Sequence, residues 1–198
     1  MKYFNIAVPR EDGGVMQLTA QQIDAAIPKV AEGLDKYLWI QSRVAGGEGF
    51  HEDREFRRRY NHFYRIRRAV AWQNVFYGLM ARAKREHLQF PEVLDSLRQA
   101  TGRYEASFAS KLFATLDPTA PVIDSVVLRN LCLRIPYASA PDRVAQICSL
   151  HNRLASLFAA FLATEAGRYL VTKFRYAYPS ATVTEEKMLD LVLWQTRV

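Results

Sequence analysis

Apolar residues recur every three or four positions through most of this chain, a spacing that an α-helix gathers into one stripe and a β-strand would scatter over both faces. Behind Thr19, a natural N-cap, the stripe runs Ile23, Ile27, Val30, Leu34, Tyr37 and Leu38. Pro28 interrupts it, and the missing N–H predicts a kink or a new helix at that point. Gly46, Gly47 and Gly49 then form a flexible connection. Residues 52–87 hold no proline and one glycine, Gly78, so they read as one bent helix or two in succession. Further helices are expected from Pro91 to Gly102, from Arg103 to Leu116 with Phe108, Leu112, Phe113 and Leu116 on one side, and from Ser125 to Leu133. A long one runs from Pro141 to Ala166 through Val144, Ile147, Leu150, Leu154, Phe158, Phe161 and Leu162. Thr182 and Glu185 have the spacing of a capping box for a last helix that ends in Leu193 and Trp194.

The class is therefore all-α, a single-domain bundle of about seven helices by this count. Only residues 1–18 look different, because Tyr3 to Val8 and Val15 to Leu18 are strand-like around the turn residues Asp12, Gly13 and Gly14, which predicts a small hairpin or extended arm. With 198 residues, 49% of them apolar, the chain can bury one core without disulfides or a structural metal. Cys132 and Cys148 lie in apolar, helical contexts, so buried reduced thiols and a cytoplasmic setting are expected. The N-terminus meets Pro9 and charged residues too early for a signal-peptide core, and the longest apolar run, residues 154–163, falls well short of the roughly 20 residues that span a membrane.

Charge is concentrated in one place. Residues 54–68 carry seven arginines and one acid in a chain of net charge +7, so the rest of the protein is nearly neutral. Taken as one helix at about 100° per residue, Arg54, Arg57, Arg58, Arg65 and Arg68 fall within an arc of about 100°. Phe56, Phe63 and Val70 fall opposite, with Tyr60 and Ile66 beside them. After Val70 the pattern changes, since Trp72, Val75, Phe76 and Leu79 project onto the arginine arc and carry the segment into the core. Guanidiniums packed this closely repel one another unless anions neutralise them. A solvated face paired with Glu52, Asp53, Glu55 and other acids is one reading. Contact with nucleic-acid phosphates is another, and an acidic partner or anionic surface a third.

The second signal is the segment from Ser107 to Ile135, where a helix ending near Leu116 leads through a proline-bounded turn into another helix. Pro121, Ile123, Asp124, Ser125, Val127 and Arg129 follow the proline, aliphatic-Asp-Thr/Ser, valine and arginine pattern of the helix-hairpin-helix DNA glycosylase superfamily, which this stretch resembles. The resemblance implies a glycosylase-like all-α fold, DNA as the partner, and cleavage of the N-glycosidic bond of a damaged or modified base. Asp124 then matches the catalytic carboxylate, and Lys111 is the nearest candidate for the imine-forming lysine of the bifunctional members. The family's Leu-Pro-Gly-x-Gly hairpin is replaced by Thr101, Gly102 and Arg103, and two cysteines cannot build the iron–sulfur cluster that some members carry. Read without the resemblance, Asp124 before Ser-Val-Val-Leu is an ordinary N-cap, Lys111 is a lysine whose stem lies along apolar surface, and Trp72 and Trp194 are core aromatics or base-stacking platforms.

No cofactor is implied, and the four histidines lack the mutual spacing and cysteine partners of a zinc site. Neither a phosphate-binding loop nor a Gly-x-Ser-x-Gly elbow is present. Two other classes therefore stand beside the glycosylase-like reading. One is a non-catalytic DNA-binding or regulatory module, of the kind used in phage defence or toxin–antitoxin pairs. The other is a protein-interaction domain with an acidic partner.

Overall fold

The computed structural model describes residues 16–47 and 49–196. Among them are nine helices and no strand: α1 (Ala20–Ala45), α2 (Arg54–Tyr64), α3 (Val70–Glu86), α4 (Phe90–Thr101), α5 (Ala106–Leu116), α6 (Ser125–Asn130), α7 (Arg143–Leu162), α8 (Glu165–Ala177) and α9 (Glu185–Gln195). The hairpin expected at the N-terminus falls almost wholly outside the described residues; Met16 and Leu18, which fall inside them, are buried and extend into the Thr19 cap. No single described helix is long and apolar enough to cross a membrane.

Chain-local chemistry explains most boundaries. Thr19 and Gln22 form a reciprocal capping box at the start of α1, and the helix continues through Pro28 without a break. Buried Ile23, Ile27, Val30 and Leu34 flank the proline on both sides, so packing of the apolar stripe outweighs the lost hydrogen bond. Asp53 caps α2, accepting from the N–H groups of Glu55 and Phe56. The cap of α9 is Thr184 rather than Thr182; its hydroxyl accepts from Lys187 N–H.

The long helix expected to end at Ala166 is two helices bent by 83°. Thr164 causes the break, because its hydroxyl accepts the N–H of Gly167 and opens α8. Residues 165–177 therefore form a helix of their own, α8. The break at residue 65 divides the arginine-rich segment in the same way. Arg65 is left-handed, at φ 55° and ψ 43°, its N–H donates to His62 O, and Ile66 N–H donates to Asn61 O. This is a Schellman stop made without glycine, at a cost of roughly 1 kcal/mol.

The core lies between α1 and α9, with α8 against both and α4 and α5 packed beside them. Phe56, Tyr60 and Tyr64 form the inner face of α2 and stack successively, with ring centroids 5.6 Å and 4.7 Å apart. Phe76 and Tyr77 of α3 close on Tyr60. Trp72 and Trp194 are half-buried against this core, while Val75 lies 38% exposed. The cysteines depart from expectation: Cys132 is exposed, in a left-handed turn, and Cys148 is half-buried, both as free thiols.

His151 on α7 stacks on Phe90 at 3.9 Å and is 5% exposed. Burial pushes its pKa down to about 4, against the opposing effects of a hydrogen bond to the Pro121 backbone and the Asp117 carboxylate. The unfolded chain takes up this proton near the ordinary imidazole value of 6.5. Stability is therefore complete at neutral pH and drains away as pH falls from there towards 4. The expected loss from this residue is about 2 kcal/mol between pH 7 and pH 5. Urea midpoints at the two pH values should show it, and His151→Leu should remove that part of the pH dependence.

Candidate nucleic-acid interface

The helix stop at Arg65 decides where each arginine goes. With α2 ending at Tyr64, Arg65 and Arg68 do not continue the face of Arg54, Arg57 and Arg58, so the single cationic face of five arginines does not form. Arg54 is exposed at the first turn of α2. Arg57 is turned inward, donating from Nε to His51 O and from Nη1 to Asn74 Oδ1 with its guanidinium over the Tyr77 ring. Arg58 stays exposed, 3.8 Å from Glu55. Arg59 takes the same carboxylate at 2.6 Å and lies over Trp39. The reading of arginines paired with the protein's own acids therefore holds for Arg58 and Arg59, and for Arg68 through Glu105.

Arg68 turns the other way. Its Nη2 donates to both oxygens of Glu105, at 2.7 and 2.9 Å, and the guanidinium covers Phe108 and Trp72. Lys111 packs on the same ring, its ammonium 5.5 Å from the Phe108 centroid. Lys111 is 7% exposed, not the surface lysine that its stem suggests in sequence. Its Nζ donates to Tyr64 O at 3.3 Å, satisfying a carbonyl of the last turn of α2. The same Nζ is 4.0 Å from Asp124 Oδ2. Burial lowers the pKa of the ammonium below the ordinary lysine value; the Asp124 and Asp190 carboxylates oppose that shift, and the Arg65 charge adds to it.

Asp124 sits where the sequence places it, at the N-cap of α6, with Oδ1 accepting from Val126 N–H at 2.8 Å. The capping oxygen and the oxygen facing Lys111 are different atoms, so one carboxylate does both jobs. Ser110 of α5 fixes the approach, because its hydroxyl accepts from Ile123 N–H and ties the turn before Asp124 to the helix that carries Lys111. The side chains of Lys111 and Asp124 retain 9% and 15% exposure, so the pair lies at the edge of the core. Of the five arginines, Arg65 acts on Lys111 through its charge, and Arg68 shares the Phe108 ring with it.

Compared with protein-family models, curated proteins and solved structures, the chain matches none. Its chemistry is legible only from its own residues. Among the described residues no three His, Cys, Asp or Glu side chains gather as a metal site.

A concavity of about 640 Å³ opens beside Arg65, walled by α1, the C-terminal end of α2 and the C-terminal end of α9. Lys29, Lys36, His62, Arg65 and Arg67 line it with a single carboxylate, Glu32. Lys111 and Asp124 do not line this groove, although the charge of Arg65, which does, acts on Lys111. Sequence reading passed over Lys29 and Lys36, although Lys29, Glu32, Gly33 and Lys36 have the i, i+3, i+4, i+7 spacing that puts them on one helix face. A basic stripe on the polar side of α1 was the available signal.

Proposed function

We propose that the protein is a nucleic-acid-binding protein that cleaves an N-glycosidic bond, acting on a damaged or modified base as its resemblance to helix-hairpin-helix DNA glycosylases implies. The observation that supports this reading is the 4.0 Å approach of Lys111 Nζ to Asp124, the two residues that the resemblance singles out. An amine attacks carbon only when neutral, and burial has moved Lys111 in that direction. In the proposed step Lys111 Nζ bonds to C1′ as the C1′–N bond breaks. The bonding pair leaves on the base, which takes up a proton, and opening of the sugar ring with loss of the amine proton gives the imine. The Asp124 carboxylate stabilises the positive charge that develops on the sugar. Arg65, whose charge acts on Lys111 and which has no ion-pair partner among the described residues, is the cation offered to a flanking phosphate.

Borohydride trapping on DNA containing an abasic site tests the amine, and release of a modified base tests the carboxylate. The wild type should leave a covalent adduct and Lys111→Met should leave none. Asp124→Asn should lower base release on the order of 10²-fold while the helix cap survives, because asparagine caps as well as aspartate. An unaltered rate in Asp124→Asn, or no release from any substrate, overturns the catalytic reading. The capping bond to Val126 favours a second one in that event: a non-catalytic nucleic-acid-binding module in which Lys111 and Asp124 clasp α2, α5 and α6 together.

A further inference from the structure

The groove beside Arg65 differs from most of the arginine-rich segment in how its charges are met, exposed Arg54 being the exception. Arg58, Arg59 and Arg68 each have a carboxylate within 4 Å, at Glu55 or Glu105. In the groove the only acid, Glu32, is taken by Lys36 at 2.6 Å. Lys29, Arg65 and Arg67 line the same concavity with no ion-pair partner among the described residues. Arg65 and Arg67 are both exposed, as is Lys29 on the facing helix. Cations that share a concave surface raise one another's energy, and field lines focus in such a cleft, so an anion entering it meets an attraction that scattered surface charges do not supply.

The groove also has an aromatic wall. Trp194 lines it, stacked on Phe63 with centroids 5.8 Å apart. Its indole Nε1 is buried without a hydrogen-bond acceptor among the described residues. A half-buried indole next to unneutralised cations is the combination by which proteins hold single-stranded nucleic acid, the cations following the backbone and the ring taking a base. A duplex offers its bases only edge-on within its grooves and presents phosphates on a wide convex surface, which a narrow concavity between three helices meets poorly.

We infer that this groove is a binding site for a single-stranded segment of nucleic acid, with Lys29, Arg65 and Arg67 on its phosphates and Trp194 against a base. The inference rests on the nucleic-acid reading above but not on its bond-cleaving chemistry.

The test is a titration of a dye-labelled single-stranded DNA 20-mer, and of the same sequence as a duplex, across a series of salt concentrations. The wild type should bind the single strand more tightly than the duplex. In Lys29→Ala/Arg67→Ala the slope of log affinity against log salt should flatten by about 1.4 for the single strand, the loss of two phosphate contacts. Arg85→Ala/Arg175→Ala, which removes two exposed arginines paired with Glu86 and Glu185, should leave that slope unchanged. Intact wild-type binding with an unaltered slope in Lys29→Ala/Arg67→Ala overturns the groove and leaves the nucleic-acid reading standing. Preference for the duplex overturns the single-strand assignment. Failure of the wild type to bind either probe at low salt overturns both.

Discussion

Asp190→Ala is expected to destabilise the protein by about 3–5 kcal/mol, because it strands a buried ammonium. Lys187 and Asp190 face each other on α9 at 2.7 Å, with side chains 2% and 6% exposed. Burial alone would depress the Lys187 pKa. The Asp190 carboxylate reverses this, helped by the phenols of Tyr64 and Tyr37, and holds it above the ordinary lysine range. For a raised lysine, the stabilisation is complete below the ordinary pKa and is lost only as pH climbs through the higher folded value. The pair's contribution should therefore be flat from pH 7 to pH 9. Urea unfolding of Asp190→Ala checks the magnitude. The double variant Lys187→Met/Asp190→Leu should recover most of the loss, since a matched apolar pair carries no desolvation penalty. A single variant within 1 kcal/mol of wild type would mean that water or another acid reaches Lys187.

Gly167→Ala should cost about 3 kcal/mol or more, for a reason of shape. A Cβ at this position would lie 2.3 Å from Phe161 O and 2.6 Å from Leu162 Cα, both backbone atoms at the 83° bend between α7 and α8. No side chain can swing aside to relieve that contact, so the bend itself must open, and α8 must shift against α1 and α9. The expected fall in Tm is about 6–12 °C. Gly78→Ala supplies the contrast on the exposed side of α3, where an added Cβ meets nothing within 4 Å. There the gain in helix propensity should stabilise by up to about 1 kcal/mol. Equal effects at the two glycines would contradict the close crossing.

These two positions also mark the limits of reading the chain in one dimension. Lys187 belongs to a helix whose Met188, Leu189, Leu191, Val192 and Leu193 are apolar nearly all round, which signals burial; nothing in the linear order says that Asp190, three residues on, supplies the counter-charge rather than facing solvent. Gly167 lies in the first turn of α8, behind a threonine that the apolar periodicity runs straight past, and a glycine there looks merely unfavourable until the preceding helix is seen to cross it. Arg65 is the sharpest case. Arginine is a good helix former, so a run of arginines and aromatics without glycine or proline reads as continuous helix, and only the burial of Tyr64 and Ile66 on either side forces the left-handed residue between them.

The sequence by itself determined that the chain is helical, that α1 begins behind Thr19, that its positive charge is concentrated in residues 54–68, and that Asp124 caps a helix. Each of these is carried by residues within a turn or two of one another, so short-range spacing and hydrogen bonding suffice. Tertiary structure alone decided that the charged segment breaks at Arg65, that Arg57 turns inward and Arg68 takes Glu105, and that Lys111 is buried against Asp124. It also brought Lys29, from a helix on the far side of a glycine-rich connection, opposite Arg65 and Arg67. Those outcomes depend on which faces of α1, α2, α5 and α9 meet, and long-range packing settles that by burying their aromatic and aliphatic faces.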